Sequence, residues 1–420
     1  MKEKGEDMKN QINIGVIGLG NIGSNMLSEL MKQAPGFEKE TGLSLKIAKT
    51  CDVDEKRKTF FPFTTHASDI IEDKNIGYIV ELIGGEHPAY EFIKGALERG
   101  KHVFTANKLV ISKYGKELEE IAKRNRCCLR FNAAVGGGMG LIDKLVSHEG
   151  NATHTIIGIL NGTTNYILTK MHEGFDYEDA LKEAQQKGFA EANPEFDVSG
   201  KDAAQKLAIL ISINFKTFVE YDKIDCEGIQ DIKKEDIDFA KDNGYVIKLI
   251  AFAKEYDGGI EAWVKPVMLS KHHPIASVNN EKNVLYMIGN ASIKIEGEGA
   301  GKPTVASIIS DIKNVSKGNK EVTFFGDKHF KFKPMEEIES RFYLKFYGLN
   351  SPGTLYSLAG TLSGENINIE SALQKAITNE KFVPMFFTTS KTKYSSIKKV
   401  MKKIDKKKLK EGIAMMMVDF

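Results

Sequence analysis

Ile12-Asn13-Ile14-Gly15-Val16-Ile17-Gly18-Leu19-Gly20-Asn21-Ile22-Gly23 is the stretch on which the fold turns. An apolar strand over residues 12–17 runs into Gly18, Gly20 and Gly23 at G-x-G-x-x-G spacing, and a helical pattern continues from Ile22 to Met31. The glycines alone carry little information. Set between a strand and a helix, they read as the phosphate loop of a dinucleotide site. Gly18 then allows the tight turn, Gly20 lets a pyrophosphate approach the backbone, and Gly23 lets the helix pack on the strand, with Asn21 and Ile22 in the helix's first turn.

Outward from this loop, to about residue 130, apolar runs alternate with amphipathic stretches. LKIAKTCDV, IGYIVELIGG, HVFTAN and CLRFNAAV read as strands, and helices are expected near residues 90–99 and over 114–125. That alternation predicts parallel β-α-β units and a sheet covered on both faces. Residues 33–44 read as a loop insertion, so the acidic residue expected about 20 positions after the loop arrives late, as Asp52 or Asp54. An acidic residue there favours NAD, while the following Lys56, Arg57 and Lys58 could receive the 2′-phosphate of NADP. Both cofactors stay open, with NAD taken first. Ligands bind outside the carboxyl ends of parallel strands. Gly84, Thr105 and Lys108 are therefore candidates to face the cofactor; a solvated surface lysine is the other reading of Lys108, and its place directly after the strand favours the functional one.

At about 150 residues per domain, 420 residues predict two to three domains. Residues 59 basic and 57 acidic leave a formal charge of +2, which argues against a nucleic-acid partner. No apolar stretch approaches the length of a membrane span, and the leader up to Asn10 is charged, so a cytoplasmic location is expected. Cys51, Cys127, Cys128 and Cys226 fit small core residues in a reducing compartment.

The pattern changes after Gly136-Gly137-Gly138, to longer helices expected over residues 175–188, 200–214 and 236–256. From Arg341 it changes again, to βαββαβ in about 80 residues, with an amphipathic lysine-rich helix inside 391–410. In the middle region, GFAEANPEFDVSGKD leads into a helix that is apolar nearly all round yet carries Asp202 and Lys206 four residues apart. An exposed ion pair is one reading of that spacing. The other is a partly desolvated lysine able to pass a proton to a carbonyl oxygen as hydride arrives. ILNGTTNY, with Thr163 in it, is a polar turn able to cap a helix or bind a small polar ligand. GEGAGKPT, with Gly299 and Gly301, is a second glycine-rich turn able to close over a cofactor. His272 and His273 lack companions at metal-ligand spacing and read as loop or core residues.

Read together, GLGNIGS, ELIGGEHPA, TANK, AVGGG, GILNGTTNYIL, GFAEANPEFDVSGKDAAQK, HPIASV, GEGAGKPT and SPGTL resemble homoserine dehydrogenase with a C-terminal ACT domain, over nearly the whole chain. The resemblance implies an α/β protein with three parts. These are an N-terminal Rossmann domain (1–138), an α+β catalytic and dimerisation domain (139–335, with 299–316 returning to the cofactor) and a ferredoxin-like βαββαβ ACT regulatory domain (336–420). It implies NAD(P)-dependent interconversion of L-aspartate 4-semialdehyde and L-homoserine, a step feeding threonine and methionine synthesis. Lys206 would be the acid/base, Asp202 would orient the substrate, Glu191 would bind its ammonium, and Asp197 and Thr163 would complete the polar wall. Lys108 would reach cofactor and substrate; Gly188, Glu191, Gly299 and Gly301 would line the nicotinamide side. A homodimer and an amino-acid effector are implied as well.

Three positions depart from the family. Asn132 stands where a Glu is usual; that Glu, with carbonyls at Val135, Gly137 and Met139, would hold Na+ or K+. Gly140 replaces a proline, and Asn350 stands where the effector turn usually has Asp. Asn193 for Asp is a milder change. The alternatives are a dehydrogenase acting on another amino-acid aldehyde, which the intact Glu191, Asp202 and Lys206 set disfavours, and a catalytically idle amino-acid sensor.

Overall fold

The computed structural model describes residues 11–299, 302–318, 323–375, 380–405 and 409–420. Their contacts divide them into two compact units: one from the described parts of 1–154, 205–223 and 285–329, the other from 155–204, 224–284 and 330–420.

In the first unit, β1 (Gln11–Ile17), β2 (Ser44–Cys51), β3 (Phe63–Thr64), β4 (Tyr78–Glu81), β5 (His102–Thr105) and β6 (Leu129–Arg130) form a parallel sheet in the order β3-β2-β1-β4-β5-β6. The order reverses at β1, between β2 and β4, and that switch point is where an open α/β sheet leaves a crevice at its carboxyl edge. Ile14, Val16, Val80 and Phe104 are buried, as strands covered on both faces require. One cover is the helix Asn21–Thr41. Another comes from far along the chain: the helix Lys302–Ser316 sets Val305, Ile308, Ile309, Ile312 and Val315 into the same core.

Three expectations need correction here. Residues 33–44 are no loop insertion: the first helix runs through Pro35 to Thr41, Phe37 is buried in the core, and Gly42 ends the helix in the left-handed conformation (φ 71°). The helix after β5 begins at Lys108 rather than near Tyr114. Of the four cysteines Cys226 is exposed, so only Cys51, Cys127 and Cys128 serve as core residues.

The second unit is built on a long antiparallel hairpin. Its strands include β7 (Thr155–Ile159), β8 (Asp225–Cys226), β9 (Tyr245–Tyr256) and β10 (Gly259–Ser270). β11 (Lys282–Ile288) and β12 (Ser292–Glu298) follow in the chain, then β13 (Lys331–Phe332), β14 (Glu339–Leu349), β15 (Ile369–Gln374), β16 (Phe382–Thr389), β17 (Thr392–Lys393) and β18 (Leu409–Val418). Side by side the order is β7-β9-β10-β18-β14-β16-β15. With the helices Thr354–Ser363 and Tyr394–Lys403 the last stretch runs βαββαβ apart from the two-residue β17, and Ile397 and Val400 are buried on the lysine-rich helix as its periodicity predicts.

The helix expected over 236–256 is corrected too. It spans only Lys234–Asp242, and Gly244 (φ 82°) turns the chain into the twelve-residue β9. The apolar run VIKLIAFA is compatible with either period, and hairpin pairing with β10 decides it. Asp236, fully buried, joins this helix to β14: it accepts from the Tyr343 hydroxyl at 2.6 Å and the Lys345 ammonium at 2.7 Å.

Candidate active site

The glycine loop has the geometry its sequence demands. Gly18 has φ 98°, and a Cβ there would meet the Leu82 carbonyl carbon at 2.6 Å; a Cβ on Gly23 would lie 2.0 Å from the Gly18 oxygen. Only glycine fits either place. A Cβ on Gly20 would meet nothing nearer than the Arg57 guanidinium at 3.7 Å, so this backbone is open to approach. Gly20 is also the N-cap of the helix and offers no side-chain cap, so it leaves room for an external anion at the first-turn N–H groups. Asn21 is exposed and Ile22 half-buried against the core.

Asp52 braces this loop. Its carboxylate accepts from the Leu19 N–H at 2.7 Å, the Asp54 N–H at 3.0 Å and the Arg57 guanidinium at 3.3 Å. These bonds hold its pKa below the usual carboxylate range although burial opposes them. Asp54 is exposed and caps the short turn that carries Arg57. Thus Asp52 fixes the loop, with three of a carboxylate's roughly four acceptor positions taken.

The ends of β4 and β5 are stitched by a carboxyl that sequence reasoning passed over. Glu81 is 1% exposed; it accepts from the Thr105 hydroxyl at 2.5 Å and the Ile83 N–H at 2.7 Å, and burial pushes its pKa up to about 7. Thr105 accepts in turn from the Asn107 N–H at 2.9 Å. The Asn107 amide donates to the Gly85 carbonyl at 2.8 Å and caps the next helix through the Val110 N–H. Gly84 is therefore exposed on a fixed turn, and half-buried Lys108 sits in the first turn of a capped helix. Gly299 directly follows β12; Gly301 lies outside the described residues.

In the second unit one amide organises the polar cluster. Asn161 is 4% exposed: its oxygen caps the helix Gly162–His172 through the Thr164 N–H at 2.8 Å, while its NH2 donates to Asp197 at 2.8 Å and Asp202 at 2.9 Å. Of the two readings of this turn, capping is what the Asn161 oxygen does, while its NH2 holds two carboxylates. Thr163 donates to the Phe189 carbonyl at 2.6 Å and lies 3.5 Å from Asp197. Glu191 is exposed, its backbone held by Gln185, and Gly188 takes φ 76° at the turn before it. The helix Lys201–Asn214 carries Asp202 (4% exposed) and, one turn on, half-buried Lys206, and is otherwise almost wholly buried. The turn is supported from behind by Lys248, 1% exposed. It donates to the Asn165 side chain at 2.9 Å, to the Val278 carbonyl at 2.6 Å and to Asn279 at 2.9 Å, and burial pushes its pKa down to about 7. A lysine amid the apolar run VIKLIAFA was the available signal.

At the corner where the family pattern would place a cation, the groups have protein partners. Asn132 directs its NH2 to Asp311 at 2.5 Å, and the Gly137 carbonyl accepts the Ser307 hydroxyl at 2.5 Å. Val135 and Met139 are buried beside them in sequence. Among the described residues no group of three or more His, Cys, Asp or Glu could hold a metal ion; His273 instead packs against Phe420.

A phosphate loop at the switch point of a parallel sheet, in a chain that also carries a lysine and carboxylate set, defines a nicotinamide-dependent oxidoreductase. Family models agree: the homoserine dehydrogenase NAD-binding domain matches residues 18–132 and the homoserine dehydrogenase model matches 142–312. The homoserine dehydrogenase of Bacillus subtilis is 37% identical over 87% of this chain and 88% of its own, and that of Neisseria gonorrhoeae 33% identical over 94% and 95%. The crystal structure of a homoserine dehydrogenase from Thiobacillus denitrificans superposes with a TM-score of 0.90 at 30% identity, covering 97% of this chain and 98% of that one. The chain belongs to the homoserine dehydrogenase family. Its reaction is the NAD(P)-dependent interconversion of L-aspartate 4-semialdehyde and L-homoserine.

Proposed function

We propose that the proton in this reaction is carried by Lys206 and that the substrate is held by the carboxylates gathered around Asn161. The observation that carries the reading is the Asn161 amide, which holds Asp197 and Asp202 on one buried side chain one helical turn before Lys206. In reduction Lys206 gives a proton to the aldehyde oxygen as hydride reaches the carbonyl carbon; in oxidation it takes the proton from the alcohol. Asp202 orients the substrate, Glu191 binds its ammonium, and Asp197 and Thr163 close the polar wall. Lys108 contacts both cofactor and substrate.

The cofactor supplies or accepts the hydride when bound. Gly18, Gly20, Asn21, Ile22 and Gly23 would hold its pyrophosphate, Asp52 its ribose, and Gly84, Thr105, Lys108, Gly188, Glu191, Gly299 and Gly301 its nicotinamide side. Asp52 supports NAD, and half-exposed Arg57 beside Gly20 supports NADP. The division into residues 1–138, 139–335 and 336–420 is retained as a functional one, with the βαββαβ segment as an ACT regulatory domain. Assembly as a homodimer, a threonine or methionine effector, and a place in the synthesis of those amino acids complete the reading. Light scattering and an effector titration check the first two.

Lys206→Ala tests the central role. Turnover should fall about 100-fold or more, the usual scale for a lost general acid, while dinucleotide binding by fluorescence stays within about twofold. Wild-type turnover in that variant would overturn the assignment.

A further inference from the structure

Asn132 opens a short turn, Asn132–Ala134, and is 3% exposed; it faces Asp311, 2% exposed, on the helix Lys302–Ser316. Asn132 meets this carboxylate twice: its backbone N–H donates to one oxygen at 3.1 Å and its side-chain NH2 to the other at 2.5 Å. Its only side-chain oxygen is engaged as well, accepting the Asp143 N–H at 3.1 Å in the first turn of the helix Leu141–Ser147. These partners fix the amide's orientation, since reversing it would set oxygen against carboxylate and NH2 against N–H. The Gly137 carbonyl accepts from the buried Ser307 hydroxyl.

A bound Na+ or K+ needs several oxygens converging on one point with lone pairs free to face it. Here position 132 turns N–H donors toward the nearby carboxylate, and its oxygen faces a donor that a cation would have to displace. A carboxylate at 132 would instead oppose that of Asp311, and two buried carboxylates in contact require a proton or a cation between them. An amide removes the need.

We propose that the Asn132 amide, with the Ser307 hydroxyl, does structurally what a bound monovalent cation would do at this corner, so that the protein is independent of Na+ and K+. The inference concerns the corner alone and stands whether or not Lys206 carries the proton.

The test is thermal unfolding of the full chain, dialysed into tetramethylammonium chloride and titrated with NaCl or KCl at constant ionic strength, with homoserine oxidation followed in parallel. The wild type should show the same Tm, within about 1 °C, and the same turnover in all three salts. A saturable rise of about 3 °C or more specific to Na+ or K+, the mark of a ligand bound to the folded state, would overturn the proposal. Asn132→Glu should be destabilised in tetramethylammonium chloride and regain Tm with Na+ or K+; a folded variant indifferent to all three salts would overturn it too. If that variant does not fold, the wild-type titration still decides.

Discussion

Asn161 shows how much one side chain can fix. Its oxygen completes a helix N-terminus and its NH2 holds two carboxylates that would otherwise repel each other. The turn around it was legible in the sequence because capping is local. Its double duty was not, since Asp197 and Asp202 lie 36 and 41 residues away. Glu81 makes the same point and carries a pH prediction. Its folded pKa of about 7 lies above the ordinary carboxylate value. Between about pH 4.5 and 7 the folded chain therefore keeps a proton that the unfolded chain releases, and stability falls as pH rises through that window, levelling above it. Glu81→Gln should flatten this slope in urea unfolding at pH 5 and pH 8. Asp311, also raised to about 7 by burial, should leave part of it. An unchanged slope would show that Glu81 is ionised throughout.

Among the elements, the glycine loop was readable because its glycines lie within six residues and Gly23 packs on Gly18 inside that span, although Gly18 itself is confined by Leu82. Gly23→Ala tests them: with 2.0 Å to the Gly18 oxygen, a methyl must push helix from strand. We expect about 1–3 kcal/mol lost from stability, the usual cost of overpacking, and at least about tenfold weaker dinucleotide binding by titration. Binding at wild-type strength would mean the loop yields without consequence. Where periodicity was ambiguous, tertiary pairing decided. Residues 33–41 continue a helix despite Pro35 because Phe37 reaches the core, and residues 245–256 form a strand because β10 pairs with them. Phe37's place in the core depends on residues distant in sequence, whereas β10 follows β9 across Asp257-Gly258, a local hairpin signal that the periodicity reading left unused.

Over the whole chain, the βαββαβ order was legible from residue 341 onward, but its integration was not. β18 runs parallel beside β10, Asp419 accepts the Ser270 N–H at 2.7 Å, and Asp236 depends on Tyr343 and Lys345, 107 and 109 residues away. Cutting the chain before residue 336 should therefore cost stability. It strips a buried carboxylate of both partners and removes the β18 neighbour of Val267 and Met268 in β10. The truncated chain should melt several degrees lower by circular dichroism; an unchanged Tm would show that the segment is thermodynamically separate. The central claim is simpler and can be checked first. Purified wild-type chain, given L-homoserine with NAD and NADP in parallel, should reduce at least one of them, seen as a rise in dihydronicotinamide absorbance, and the faster one ranks Asp52 against Arg57. A folded chain that binds dinucleotide but reduces neither would contradict the account.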